Sequence, residues 1–122
     1  MSDEPSHVLL VEDNEHVASA LRILFESVGH RFSTAASIAE AVAIGVAEPA
    51  RLVLLDLALP DGDGLAAIEP LRESGSTTFV ALTGHDDAAT RQRCLDAGCV
   101  EVLVKPVPVR ELIARSREWL AG

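Results

Sequence analysis

The run Leu52-Val53-Leu54-Leu55-Asp56 constrains this chain more than any other stretch. Four aliphatic residues in succession leave no polar face, so the segment reads as a strand buried on both sides, as in a parallel sheet. Asp56 ends the run, and Pro60, Gly62 and Gly64 break the chain directly after it. A carboxylate at the carboxyl end of a buried strand stands where open α/β sheets place their ligands. Taken alone, Asp56 could equally cap the following loop. The rest of the chain decides between the two.

A second all-aliphatic run, Val8-Leu9-Leu10-Val11, stops at Glu12-Asp13. Asn14 can cap a helix whose apolar positions Val17, Leu21, Leu24, Phe25 and Val28 keep a helical period, with Gly29 as its stop. His30 to Ala35 is a more polar strand, suited to a sheet edge. Ser37 opens a small-residue helix with Ile38, Ala41, Val42 and Ala43, which Pro49 ends. After the central strand, Asp63 can cap a third helix from about Leu65, with Ile68 and Leu71 inward. Pro70 there removes an N–H and crowds the carbonyl of Ala66, which predicts a kink or a late start.

Thr77 to Leu82 reads as the fourth strand, closing on Thr83-Gly84-His85-Asp86. The helix from about Asp87 to Ala97 carries few large apolar residues, chiefly Cys94 and Leu95. A face so weak makes it the least anchored helix and the most mobile; Gly98 stops it. Val100 to Val104 is the fifth strand, ending at Lys105-Pro106. The last helix runs from about Pro108 to Leu120 with Leu112, Ile113, Trp119 and Leu120 as its core face.

Strands thus alternate with helices in a (βα)5 pattern. Right-handed crossovers then give a doubly wound parallel five-stranded sheet covered on both faces, and the flavodoxin-like order 2-1-3-4-5 suits it. The 122 residues make one domain, with a start at Met1-Ser2 that looks natural and no output domain expected after it. Aromatics are only 3% of the chain, so the core has to be built from Val, Leu, Ile and Ala. The polar leader Met1 to Ser6 is no signal peptide and no apolar run reaches the length of a membrane span, so the expected location is the cytoplasm, without membrane insertion. A formal net charge of −9 repels phosphate backbones and argues against direct nucleic-acid binding. Cys94 and Cys99 lack zinc or redox spacing and read as reduced, partly buried thiols. His7, His16, His30 and His85 form no metal-ligand pattern and are expected to be structural.

In such a sheet all strand ends emerge on one edge, so Glu12, Asp13, Asp56, Thr83 and Lys105 converge. Three crowded carboxylates have raised pKa values unless a cation neutralises them. A hard divalent ion with oxygen ligands fits, and Mg2+ uses few carboxylates while keeping several waters. Lys105 adds a point charge and Thr83 a hydroxyl, which together suit a phosphoryl group. Nucleophilic carboxylate, metal, lysine and hydroxyl compose a phosphoryl-transfer site. Each residue has a plainer role available: Glu12 and Asp13 as a capping pair, Thr83 as a turn former, Lys105 as a solvated end. It is their joint fall on one edge that chance does not explain.

With these residues in view, the chain resembles the receiver domain of two-component response regulators over essentially its whole length. The matching stretches are Val8 to Asn14, Asp56 to Gly64, Leu82-Thr83-Gly84 and Lys105-Pro106, in that order. The resemblance implies that Asp56 accepts a phosphoryl group from a phosphohistidine on a sensor histidine kinase or histidine phosphotransfer protein. The phosphorylated domain would then switch a surface toward a downstream protein partner. It further implies Mg2+ held by Glu12, Asp13, Asp56 and the backbone carbonyl of Ala58, with Lys105 paired to Asp56 or its phosphate. It implies a signalling domain rather than an enzyme, one that catalyses its own phosphorylation and dephosphorylation. The Lys105-Pro106 bond is often cis in that family. This chain departs from the pattern at Val102, where the family often has an aromatic switch. Ala58 and His85 occupy variable positions that tune dephosphorylation. Two rivals remain. A haloacid-dehalogenase-like phosphatase wants a second acid two residues after the nucleophile, where this chain has Ala58. A flavodoxin-like flavin-binding module wants a phosphate cradle after the first strand, where this chain is acidic.

Overall fold

The computed structural model describes residues 6–121; the polar leader lies outside them up to Pro5. In chain order the elements are β1 (His7–Val11), α1 (Glu15–Ser27), β2 (Arg31–Ala35), α2 (Ile38–Ala47) and β3 (Leu52–Asp56). A two-residue hairpin (Ala58–Leu59 with Gly62–Asp63) and a 3-10 turn (Gly64–Ala67) lead into α3 (Ile68–Glu73). The chain finishes with β4 (Thr78–Thr83), α4 (Ala88–Ala97), β5 (Glu101–Val104) and α5 (Val109–Ala121). The five long strands pair in parallel in the order β2-β1-β3-β4-β5, as the alternation of elements predicts.

β1 and β3 are buried at every position, which is why they are aliphatic apart from His7 at the start of β1 and Asp56 at the end of β3. Alternate side chains feed opposite faces of the sheet. Leu9, Val11, Val53, Leu55, Phe79 and Ala81 pack under α2, α3 and α4, while Val8, Leu10, Leu52, Leu54, Val80 and Leu82 pack under α1 and α5. Each Val, Leu or Phe among them contributes on the order of 1.5–3 kcal/mol when fully buried. The more polar β2 takes the edge.

Helix boundaries follow the capping signals. The Asn14 side chain accepts the N–H groups of His16 and Val17, and Ser37 Oγ accepts that of Glu40. Gly29 and Gly98 take the positive φ that ends α1 and α4. Pro70 produces the late start: the segment begins as a 3-10 turn capped by Asp63, and α3 proper starts only at Ile68. That puts Pro70 in the first helical turn, where its missing N–H costs nothing.

The helix faces need four corrections. Leu95 is exposed and Cys94 alone is buried in α4, because two adjacent residues cannot both face the sheet. Val28 is exposed at the C-cap, where the chain has already left the helix. Ala43 faces solvent, and Ala41 and Gly45 form the buried line of α2. Cys94 and Cys99 are free but fully rather than partly buried, and burial raises both thiol pKa values, that of Cys99 to about 12. His7 has the structural role expected of it, buried between Ser33 Oγ and the carbonyl of Pro49.

Candidate functional site

The strand ends collect the acidic residues and the lysine. Asp56 closes β3 beside Leu82 of β4, and the Lys105 N–H donates to the carbonyl of Thr83 at 2.7 Å, which ties β5 to β4 at the same edge. The Lys105–Pro106 bond is cis. Glu12 is fixed at the end of β1 by its N–H bond to the carbonyl of Ala35, at 2.8 Å. Lys105 Nζ donates to Asp56 Oδ2 at 2.7 Å and to both carboxylate oxygens of Glu12, at 3.0 and 3.1 Å. Glu12 and Asp56 are buried, whereas Asp13 is exposed.

The expectation that every carboxyl is raised needs refinement, because one ammonium is shared unequally. Burial, with the neighbouring Asp56, pushes Glu12 up to about 7 against the opposing pull of Lys105. Burial pushes Asp56 up as well, but hydrogen bonds to Glu12, Lys105 and the Ala58 N–H outweigh it and hold the carboxyl below its ordinary value. Burial would lower Lys105, yet its two carboxylate partners raise it instead. The shared ammonium thus holds Asp56 down, while burial and the neighbouring Asp56 leave Glu12 raised.

Glycine sets the backbone around Asp56. A Cβ on Gly64 would collide with the carbonyl oxygen of Asp56, and the Gly64 N–H bonds the carbonyl of Leu57 at 2.9 Å. The preceding segment folds back as the small hairpin, so the Ala58 N–H donates to Asp56 Oδ1 at 3.0 Å. Thr83 is buried with its hydroxyl oxygen accepting the His85 N–H at 3.1 Å. Asp56, Ala58, Thr83 and Lys105 line one cleft of about 450 Å³.

Carboxylate oxygens of Glu12, Asp13 and Asp56 lie within 4.8 Å of one another. An all-oxygen set with two acids in excess of the local lysine fits a hard divalent cation. All five residues singled out in the sequence are thus brought to one edge. Sequence reasoning missed Thr90 and the Asp63–Arg93 ion pair, which line the same cleft. Arg93 lies on α4 and Asp63 on the hairpin. A contact between segments so far apart in the chain leaves no local signal.

The chain matches the family model described as response regulator receiver domain over residues 8–117. It is 34% identical over 116 residues to the TorCAD operon transcriptional regulatory protein TorR of Escherichia coli O157:H7, covering 95% of this chain and 50% of TorR. The chain therefore spans about half the length of that relative. Among solved structures it is similar to the non-phosphorylated HemR receiver domain from Leptospira biflexa, with TM-score 0.87, 31% identity, and 98% and 96% of the two chains covered. It is also similar to the receiver domain of a sensor histidine kinase from Pseudomonas aeruginosa PAO1 with a magnesium ion coordinated in its active site cleft. There the TM-score is 0.84 at 28% identity, with 97% and 99% covered.

Proposed function

The chain belongs to the response regulator receiver domain family, and from that premise we propose that Asp56 is its phosphoacceptor. Family membership decides for a signalling receiver domain over the phosphatase and flavin-binding readings. One observation carries the assignment of Asp56: its carboxylate is aimed by two donors, Lys105 Nζ on Oδ2 and the Ala58 N–H on Oδ1.

In the transfer, a carboxylate oxygen of Asp56 attacks the phosphorus of a phosphohistidine. The new O–P bond forms as the P–N bond breaks, and the leaving imidazole keeps the electron pair. Lys105 follows the growing negative charge on the phosphoryl oxygens. Thr83 turns its hydroxyl from the His85 N–H toward one of them. Glu12, Asp13, Asp56 and the backbone carbonyl of Ala58 would hold Mg2+, which when bound neutralises charge on the acids and the incoming oxygens. The same groups, with a water as nucleophile, return the domain to its unphosphorylated state.

The phosphodonor is a sensor histidine kinase or a histidine phosphotransfer protein in the cytoplasm. Among the described residues no helix is long and apolar enough to cross a membrane. An apolar groove of about 460 Å³, lined in part by Val17, Leu21, Pro106 and Leu112, opens beside the same strand ends and offers the donor a surface to cover. Phosphorylation then switches a protein–protein surface rather than a nucleic-acid contact, in keeping with the net charge of −9. The test is incubation with a small phosphodonor and Mg2+. The wild type is expected to gain one phosphate and Asp56→Asn none; equal labelling of both removes Asp56 from the role.

A further inference from the structure

Asp61 sits outside the acidic cluster, exposed at the turn of the hairpin that follows the proposed phosphoacceptor. Its carboxylate nevertheless has two specific partners in another element. Oδ1 accepts the N–H of Ile38 at 2.9 Å and Oδ2 that of Ala39 at 3.1 Å, both in the first turn of α2. A helix start leaves such N–H groups without partners, and a carboxylate there makes charge-assisted bonds. Ser37 accepts only the Glu40 N–H, so Asp61 supplies the partners of the two N–H groups before it.

The other end of the connection is the site. The hairpin pairs Leu59 with Gly62 and Ala58 with Asp63. A ladder of two residues per strand is too short to hold itself in water. Yet this segment delivers the Ala58 N–H to Asp56 Oδ1 at 3.0 Å. It is held from outside: Leu59 is buried in the core and Asp63 pairs with Arg93, while Asp61 ties the turn itself to a helix whose buried line packs on the core.

We propose that Asp61 is a positioning residue for phosphoryl transfer: by bonding the first turn of α2 it fixes the hairpin and so holds the Ala58 backbone against Asp56. The inference rests on reading Asp56 as the phosphoacceptor and extends the site by a residue that touches neither phosphate nor metal.

The experiment compares Asp61→Ala with Ser37→Ala, which removes a cap from the same helix end without touching the hairpin. Amide hydrogen exchange at Ala58 and Gly64 is followed by NMR in metal-free protein, then Mg2+ is titrated and the initial rate of labelling by a small phosphodonor measured. Asp61→Ala is expected to speed exchange at Ala58 and to weaken Mg2+ binding about 10-fold, the low end for residues that orient ligands. Labelling slows with it. Ser37→Ala should lower Tm and leave all three readouts at wild-type values. Asp61→Asn, which keeps one oxygen acceptor, should recover part of the Ala58 protection. The proposal is overturned if Asp61→Ala keeps wild-type Ala58 exchange and Mg2+ affinity, or if Ser37→Ala reproduces its losses. A wild type that takes up no phosphate overturns the reading of Asp56 instead, and the metal-free exchange contrast still decides the role of Asp61.

Discussion

Lys105 is the only lysine in the chain, and it spends its charge on two buried carboxylates. Asp13 differs from both: it is exposed and has no bond to Lys105, yet its oxygens belong to the same cluster. The two residues should therefore affect a divalent cation in different ways. Asp13→Asn removes a charged oxygen ligand, whereas Lys105→Ala removes a cation that competes for the same acids. Mg2+ should bind weakly to the unphosphorylated protein, with Asp13→Asn weakening it more than Lys105→Ala. A metal titration giving the reverse order contradicts these roles. Glu12, Asp13, Asp56, Thr83 and Lys105 were legible in the sequence because each stands at the carboxyl end of an apolar run. Asp61 was not, because Pro60-Asp61-Gly62 spells only a turn and its partners lie in α2.

At the scale of elements, α4 is the helix with the fewest buried side chains. Cys94 is its only buried residue, and much of its remaining hold is polar: Arg93 to Asp63 across the cleft, and Arg91 to the carbonyl of Val102 at 3.4 Å. Its weakness could be read from composition, but its rotation could not. With a single large side chain going inward, Cys94 and Leu95 were equally good candidates. A phosphoryl group on Asp56 would put about −1.5 to −2 units of charge beside Thr83 and Arg93. Val102, buried and β-branched, is too short and too restricted to act as the ring does in relatives with an aromatic switch. The response should instead run through the Thr83–His85 loop into α4. Amide exchange in α4, with and without a beryllium fluoride phosphate mimic, reads it directly. Thr83→Ala should erase most of the difference. Val102→Ala should cost about 1.5–3 kcal/mol of stability and leave the difference largely intact. If Val102→Ala uncouples the switch as fully as Thr83→Ala, the loop-and-helix route is wrong.

For the molecule as a whole, a right-handed parallel sheet sends every strand end to one edge, and that collects acids the fold would otherwise keep apart. The cost should be visible in the dependence of stability on pH. Glu12 is raised from its ordinary 4.5 to about 7 by burial and by Asp56. Between those values the native state binds more protons than the unfolded chain, so this group makes metal-free stability fall as pH rises. His30 works in the opposite sense. Burial lowers it below its ordinary 6.5, and its Nδ1 has no hydrogen-bond partner. Below that pH the unfolded chain binds more protons, so this group makes stability fall as pH drops. The two slopes oppose each other just below pH 6.5. Glu12→Gln removes the first and leaves the second. In the presence of a chelator, the variant should therefore lose more stability than the wild type between about pH 8 and about pH 5.5. Urea unfolding followed by the fluorescence of Trp119, the only tryptophan, measures both curves. Parallel curves would mean that Glu12 titrates as an ordinary carboxyl and that the crowding at the sheet edge is not felt by the fold.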